Sequence, residues 1–175
     1  TQATCNPQET TPTGKGVRVK REMPKLTIRP VVMEDAEILY RWATDPETRL
    51  QSFNSDTFTW ESHLKWLEAG LKDENHLMFI GLDGYGVPVA LSRFLIEGDR
   101  ATIAYVTDPA RRGRGYASAI IHYGTAELFR VRPDVNLVNA YIKPSNPASI
   151  AACKNAGYHR VDTREYRGEE VVCLT

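Results

Sequence analysis

Little in this chain points to a covalent staple, a membrane span or a strong electrostatic field. Its three cysteines, Cys5, Cys153 and Cys173, are odd in number and far apart. That excludes a disulfide framework and a metal site built on cysteine pairs, and it suits a reducing cytoplasm. The four histidines are scattered, with no pair at ligand spacing on one helix, and no metal is expected. No apolar run approaches the roughly 20 residues that cross a bilayer, so no membrane is expected as a partner. No charged-then-apolar segment opens the chain either. Because it begins at Thr1 rather than methionine, it is expected to be a processed product or a piece of a longer polypeptide. With 22 basic and 22 acidic residues the formal charge is zero, so no global field recruits nucleic acid and any anion site must be local. No internal repeat is present.

What remains is an ordinary globular composition, 42% hydrophobic and 25% charged in 175 residues, enough to bury one core. Residues 1–24, TQATCNPQETTPTGKGVRVKREMP, are rich in Thr, Pro and Gly and have almost nothing to bury. They are expected to be a flexible tail or linker, with the domain over 25–175. KLTIRPV then reads as a short strand stopped by proline. MEDAEILYRWA places Ala36, Leu39, Tyr40 and Ala43 at helical spacing, and TDPETR ends that helix. FTWESHLKWLEAGLK puts Trp60, Leu64, Leu67 and Leu71 on one predicted face, behind Thr59 as cap. HLMFIGL, VPVALSRFLI and ATIAYVT are β-rich runs joined by DGYG and EGD, the pattern of an antiparallel meander. Ala117, Ile120, Ile121, Gly124 and Leu128 mark the buried face of a longer helix. NLVNAYI is a strand. NPASIAACKNAG is a short helix, with Asn146 as cap, Pro147 at its first position and Gly157 as stop. Two strands around YRGE close the chain, giving the order β-α-α-β-β-β-α-β-α-β-β.

The stretch RRGRGYASAI, from Arg111, sets two glycines among three arginines directly ahead of the long helix. Glycine admits close backbone approach, arginine offers a rigid fork of donors, and a helix N-terminus adds unpaired N–H groups and partial positive charge. Together these make a cradle for phosphate. A nucleotide-hydrolase loop is excluded, because no Lys-Ser or Lys-Thr follows the glycines. A dinucleotide fingerprint fits poorly, because the pair Gly113 and Gly115 is followed by Ser118 and lies deep in the chain.

Arg112-Gly113-Arg114-Gly115-Tyr116-Ala117 matches Q/R-x-x-G-x-G/A and resembles the coenzyme A pyrophosphate loop of the GNAT superfamily of N-acetyltransferases. NPASIAACKNAGYHRV resembles that superfamily's closing segment, and the likeness runs from residue 25 to about 165. The resemblance implies a single α+β domain. Its mixed, mostly antiparallel sheet has about seven strands flanked by about four helices, splayed at the strands around the acetyl-CoA site. It implies acetyl-CoA as co-substrate and transfer to a primary amine by direct attack. The strand before the loop is expected to carry a bulge and to bind the pantetheine arm at Tyr105, Val106 and Thr107, with backbone N–H around Val106 polarising the thioester. Asn146 resembles the asparagine on the other wall of that cleft, and as a cap it serves both readings.

The departures concern the acid and the base. Members often carry an acidic residue on that strand, but ATIAYV has only the hydroxyls of Thr102 and Tyr105. Many members place a tyrosine, the acid toward the departing thiolate, where this chain has Cys153. The catalytic candidates are Tyr105, His63 and Cys153, each with a packing role as its alternative, alongside a base acting through ordered water. RWATDPETRLQSFNSDTFTWESHLKWLE resembles a subgroup that acetylates nucleotide-linked amino sugars. The segment between the first two helices walls the acceptor site in this superfamily. Arg49, Phe53 and Asn54 are therefore expected there, for phosphate, base and sugar hydroxyls. Two other functions stay open: acetylation of protein N-termini or ribosomal proteins, and acetyl-CoA binding without turnover. A homodimer stays open as well.

Overall fold

Short β-branched runs, each stopped by a proline or a tight turn, build the frame of the domain. The computed structural model describes residues 22–54 and 59–175; residues 1–21 of the expected tail lie outside them. Strands β1 (Thr27–Pro30), β2 (His76–Leu82), β3 (Pro88–Glu97), β4 (Arg100–Thr107), β5 (Leu137–Ile142), β6 (Arg160–Tyr166) and β7 (Glu169–Leu174) form one sheet in the order β1-β2-β3-β4-β5-β7-β6. Every pairing is antiparallel except β4 with β5, which is parallel. The turns follow their residue types. Asp83 accepts from the N–H of Tyr85 and Val87 at 2.9 and 3.0 Å between β2 and β3, and Arg167-Gly168 turns β6 into β7 with both residues at positive φ.

The helices are α1 (Ala36–Ala43), α2 (Pro46–Gln51), α3 (Trp60–Lys72), α4 (Tyr116–Val131) and α5 (Pro147–Asn155). The sequence led to one helix fewer, because TDPETR reads as a break. The break is also a start: Asp45 Oδ2 accepts from Thr48 N–H at 3.0 Å, and Pro46 takes the first helical position, where no N–H is needed. Alternation along the strands divides the interior. Phe79 joins α4 and α5 in one core, while Met78 and Ile80 join α1 and α3 in the other. Among the described residues no helix is long and apolar enough to cross a membrane.

Two further expectations are corrected. The face of α3 that is buried holds His63, Leu67 and Gly70, while Trp60 and Leu71 stay 37% and 38% exposed. The helix approaches β2 at its glycine, where a Cβ would stand 2.8 Å from His76 Nδ1. His63 can turn inward because its ring nitrogen Nε2 donates to Ala36 O at 2.8 Å. The second correction concerns β4, which carries no bulge. Its register with β3 runs unbroken from Arg100↔Glu97 to Thr107↔Ala90.

Candidate functional site

The parallel pair β4–β5 is short. Arg100–Ile103 pair with Leu137–Ala140, and there the ladder ends. Beyond it β4 continues on β3 alone, while Tyr141 and Ile142 of β5 pair with β7. A wedge therefore opens between the two strands toward their C-terminal ends, where α4 and α5 begin. Such a fork at the carboxyl ends of parallel strands is where open sheets take their ligands. Hydrogen-bond parity decides which peptide groups face it. Asp108 N–H donates to Val89 O at 2.8 Å, and Asn136 N–H donates to Asp99 O at 2.7 Å. Alternation between these points turns the backbone of Tyr105 and Thr107 into the wedge and that of Val106 onto β3. With no bulge to reverse the parity, the strand offers two facing residues rather than the expected Val106.

At the wide end of the wedge, Gly113 and Gly115 have φ of 73° and 86°, a left-handed conformation that side chains disfavour. Gly115 caps α4, and the first helical bond is Ala119 N–H to Gly115 O at 3.1 Å. The N–H groups of Tyr116, Ala117 and Ser118 therefore precede the helical ladder and are free for an anion. The arginines of the motif divide their tasks. Arg111 pairs with Asp83 at 3.0 Å. Arg112 is held by Asp45 at 2.5 Å and Glu47 at 2.8 Å and donates to Thr48 Oγ1 at 3.1 Å, which fastens the loop to α2. Its guanidinium keeps the Asp45 carboxyl below the usual range. Arg114 is exposed and makes no ion pair among the described residues.

At the narrow end, Tyr105 and Cys153 come together across the wedge. The Tyr105 hydroxyl is within hydrogen-bonding reach of the Cys153 thiol and 3.5 Å from Ser149 O, to which it donates. Burial pushes the fully buried Cys153 thiol up to about 12 and raises the Tyr105 phenol above its ordinary value. A thiol titrating there is a weaker acid than an ordinary thiol, at 9.0, so proton transfer from it to a leaving thiolate runs uphill. Asn146 caps α5, its Oδ1 accepting from Ser149 N–H at 3.1 Å. Its side-chain amide N–H donates to nothing among the described residues.

His63 stands elsewhere. Its ring lies 5.2 Å from Tyr40, 5.7 Å from Trp60 and 5.7 Å from Trp66, and burial lowers its proton affinity. A neutral imidazole donating to Ala36 O in that stack joins α1 to α3.

The segment after α2 and the β6–β7 turn meet on the face of the sheet opposite α4. Phe53 packs edge-on to Tyr166 at 5.3 Å, and Tyr166 stacks on Tyr141 at 4.3 Å. Lys143, paired with Glu169 at 3.0 Å, lies 5.5 Å over Phe53. The Arg49 guanidinium donates to the Asn54 carbonyl. Tyr141 is the first β5 residue past the pairing with β4, so this aromatic platform borders the wedge. On the same face, half-buried Arg93 lies 5.4 Å from the Trp66 ring, and Arg167 lies 5.4 Å from that of Tyr166. Sequence reasoning missed Tyr141, Tyr166, Arg93 and Arg167. The available signal was one arginine inside the apolar run VPVALSRFLI and a second in the turn YRGE.

Residues 25–159 match the sequence family described as the acetyltransferase (GNAT) domain. No curated protein matches the chain. Among solved structures, the aminoglycoside acetyltransferase AAC(6')-Ib in complex with coenzyme A and kanamycin is similar, with a TM-score of 0.73 and 19% identity over 86% of this chain and 93% of that one. A mutant of the spermidine N-acetyltransferase SpeG from Vibrio cholerae is similar too, with a TM-score of 0.71 and 14% identity over 86% and 92%. At these identities the likeness is one of fold.

Proposed function

The chain belongs to the GNAT acetyltransferase family, and from that premise we propose that its acceptor is the primary amine of a nucleotide-linked amino sugar. The coarser activity, acetyl-CoA-dependent N-acetylation, is that of the family. One observation carries the finer reading: the wedge runs from a helix N-terminus able to hold a pyrophosphate to an aromatic and cationic platform formed by Phe53, Tyr166, Tyr141 and Lys143.

In this reading the pyrophosphate of acetyl-CoA lies on the N–H groups of Tyr116, Ala117 and Ser118, with Gly113 and Gly115 admitting it. Arg114 adds a mobile charge while Arg112 holds the loop in place. The pantetheine arm enters the wedge as a substitute strand against Tyr105 and Thr107, and the Asn146 amide meets it from the α5 side. A backbone N–H of that pair polarises the thioester carbonyl. The neutral amine attacks the carbonyl carbon; a C–N bond forms, the C–S bond breaks, the nitrogen loses a proton and the thiolate gains one. β4 has no carboxylate, so ordered water relays the amine's proton. Phe53 and Tyr166 receive the base, and Arg49 and Asn54 hold the sugar-phosphate part. Polyamines and aminoglycosides are polycations, and the charges of Arg93 and Arg167, which have no carboxylate partner among the described residues, disfavour them.

Acetyl-CoA-dependent product formation with nucleotide-linked amino sugars, N-terminal peptides, polyamines and aminoglycosides tests this. The nucleotide-linked acceptors are expected to have the highest kcat/KM, and a preference for peptide or polycation overturns the acceptor assignment. Gly115→Val combines a strained φ with a Cβ 3.1 Å from Pro24 Cδ. It is expected to weaken acetyl-CoA binding about tenfold or more by calorimetry.

A further inference from the structure

Arg93 sits in the middle of β3, its register partners Met78 on β2 and Ala104 on β4. Six arginines elsewhere in the domain, Arg29, Arg111, Arg112, Arg130, Arg132 and Arg164, hold carboxylates within 3.0 Å, while others such as Arg114 stand exposed in solvent. Arg93 does neither. Among the described residues its guanidinium has no ion pair and no hydrogen bond, only the Trp66 ring beneath it. That ring offsets part of the cost of half-burying this cation, and the guanidinium nitrogens, none of them among the buried unpartnered atoms, stay open to water and to a ligand.

Its neighbours strengthen the positive potential. Burial and Arg167 both depress its affinity for a proton, and Arg93 in turn disfavours the charged form of His76. Arg167 arrives from the β6–β7 turn with φ 52°, among the described residues the only non-glycine at positive φ. That conformation is uncommon for a residue with a Cβ, and Arg167 likewise has no carboxylate partner among the described residues. Two arginines without a carboxylate partner among the described residues thus lie on one face, Arg93 against Trp66 and Arg167 against Tyr166. The place is informative, since Ala104, opposite Arg93, is the first β4 residue past the ladder with β5. From there to Thr107 is three residues, about 10 Å of strand, and the pyrophosphate loop lies beyond that. The phosphates of acetyl-CoA on that loop are therefore not what this pair meets.

We propose that Arg93 and Arg167 form an oxyanion site on the acceptor side of the wedge that takes a phosphate of the nucleotide-linked acceptor. The proposal rests on the acceptor reading above and gives it its specificity determinant. Guanidinium forks match phosphate oxygens in pairs, and the Tyr141–Tyr166–Phe53 platform lies beside them for the base.

Binding of uridine diphosphate and of uridine is measured by calorimetry on protein saturated with coenzyme A, so that the glycine loop is filled. Wild type, Arg93→Gln and Arg167→Gly are compared; the second variant also relieves the turn. Uridine diphosphate is expected to bind, and each variant to weaken it about tenfold, the loss of a charge-assisted pair. Uridine, which lacks the phosphates, is expected to respond to neither change. The thermal midpoint of Arg93→Gln is expected to stay or rise, because an unpaired half-buried charge is removed. In turnover, kcat/KM for the nucleotide-linked amino sugar falls by a like factor while that for the free amino sugar and the KM for acetyl-CoA stay put. Uridine diphosphate binding that ignores both substitutions overturns the oxyanion site, even if nucleotide-linked sugars are acetylated. Arg93-dependent binding without acetylation of such sugars supports the site and overturns the acceptor reading instead.

Discussion

A thiol packed against Tyr105 in the interior has lost the water that would stabilise its anion, and this sets what Cys153 does at neutral pH. Its titration moves from the ordinary 9.0 up to about 12 through burial. The unfolded chain therefore releases this proton first, so stability present below pH 9 is lost as pH rises toward 12, at about 1.4 kcal/mol per pH unit. Cys153→Ala removes that slope. Urea denaturation at pH 8 and pH 10 is expected to show wild type losing about 1.4 kcal/mol more than the variant. At neutral pH the variant is expected to keep near-normal kcat at saturating acetyl-CoA. A large drop in kcat with the fold intact would assign the thiol to proton transfer. At this scale the sequence singled out Cys153 by its position in the closing motif and Tyr105 by its hydroxyl, and the fold brings the two together. Arg93 escaped notice because one charge in an apolar strand run reads as an edge residue; its lack of a partner is visible only when both faces of the sheet are assembled.

Elements were legible by periodicity, as in α4, or by caps, as in α5, and less so where a polar residue or a glycine decides the packing. α3 turned its predicted face because Gly70 meets β2 and His63 meets α1, while Trp60 and Leu71 stay partly exposed. The ladder between β4 and β5 ends for reasons of tertiary pairing, which no local pattern records; only the family likeness anticipated the splay. The close approach of α4 to β3 is likewise hidden. A Cβ at Gly124 of α4 would stand 2.3 Å from Ser92 Oγ and 3.1 Å from Ser92 Cβ, and that hydroxyl is buried without a partner among the described residues. Gly124→Ala is expected to destabilise by about 1–3 kcal/mol through overpacking. Ser92→Ala is expected to be neutral or stabilising, since it deletes an unsatisfied buried group. In the double variant the shortest contact is gone, so part of the Gly124→Ala loss should return, a coupling above about 0.5 kcal/mol in a denaturation cycle. Strict additivity would mean that α4 shifts away from β3 instead.

For the molecule as a whole, length and composition were enough for one domain, and the family likeness for its α+β class. The family match begins at residue 25, where the domain was expected to begin; a contact across that edge was not foreseen. The expected tail ends at residue 24, yet Met23 and Pro24 are half-buried and Pro24 lies against the left-handed Gly115 at the head of α4. The contact was illegible because a proline in a Thr-, Pro- and Gly-rich stretch signals a linker, whereas its rigid ring here backs a loop that must hold an unusual φ. Deleting residues 1–24 is therefore expected to act on the coenzyme site more than on the core. Two truncations separate these effects, one removing 1–21 and the other 1–24. The shorter deletion is expected to leave the thermal midpoint within about two degrees and acetyl-CoA affinity unchanged. The longer one removes Pro24 and frees the loop, which is expected to weaken acetyl-CoA binding by roughly threefold, about 0.7 kcal/mol of lost pre-organisation. If the shorter deletion lowers the midpoint by about 5 °C, roughly 2 kcal/mol for a domain of this size, residues before Glu22 pack on the domain and its edge lies earlier. If both deletions leave affinity untouched, Gly115 holds its conformation unaided, and the loop owes its shape to Arg111 and Arg112 alone.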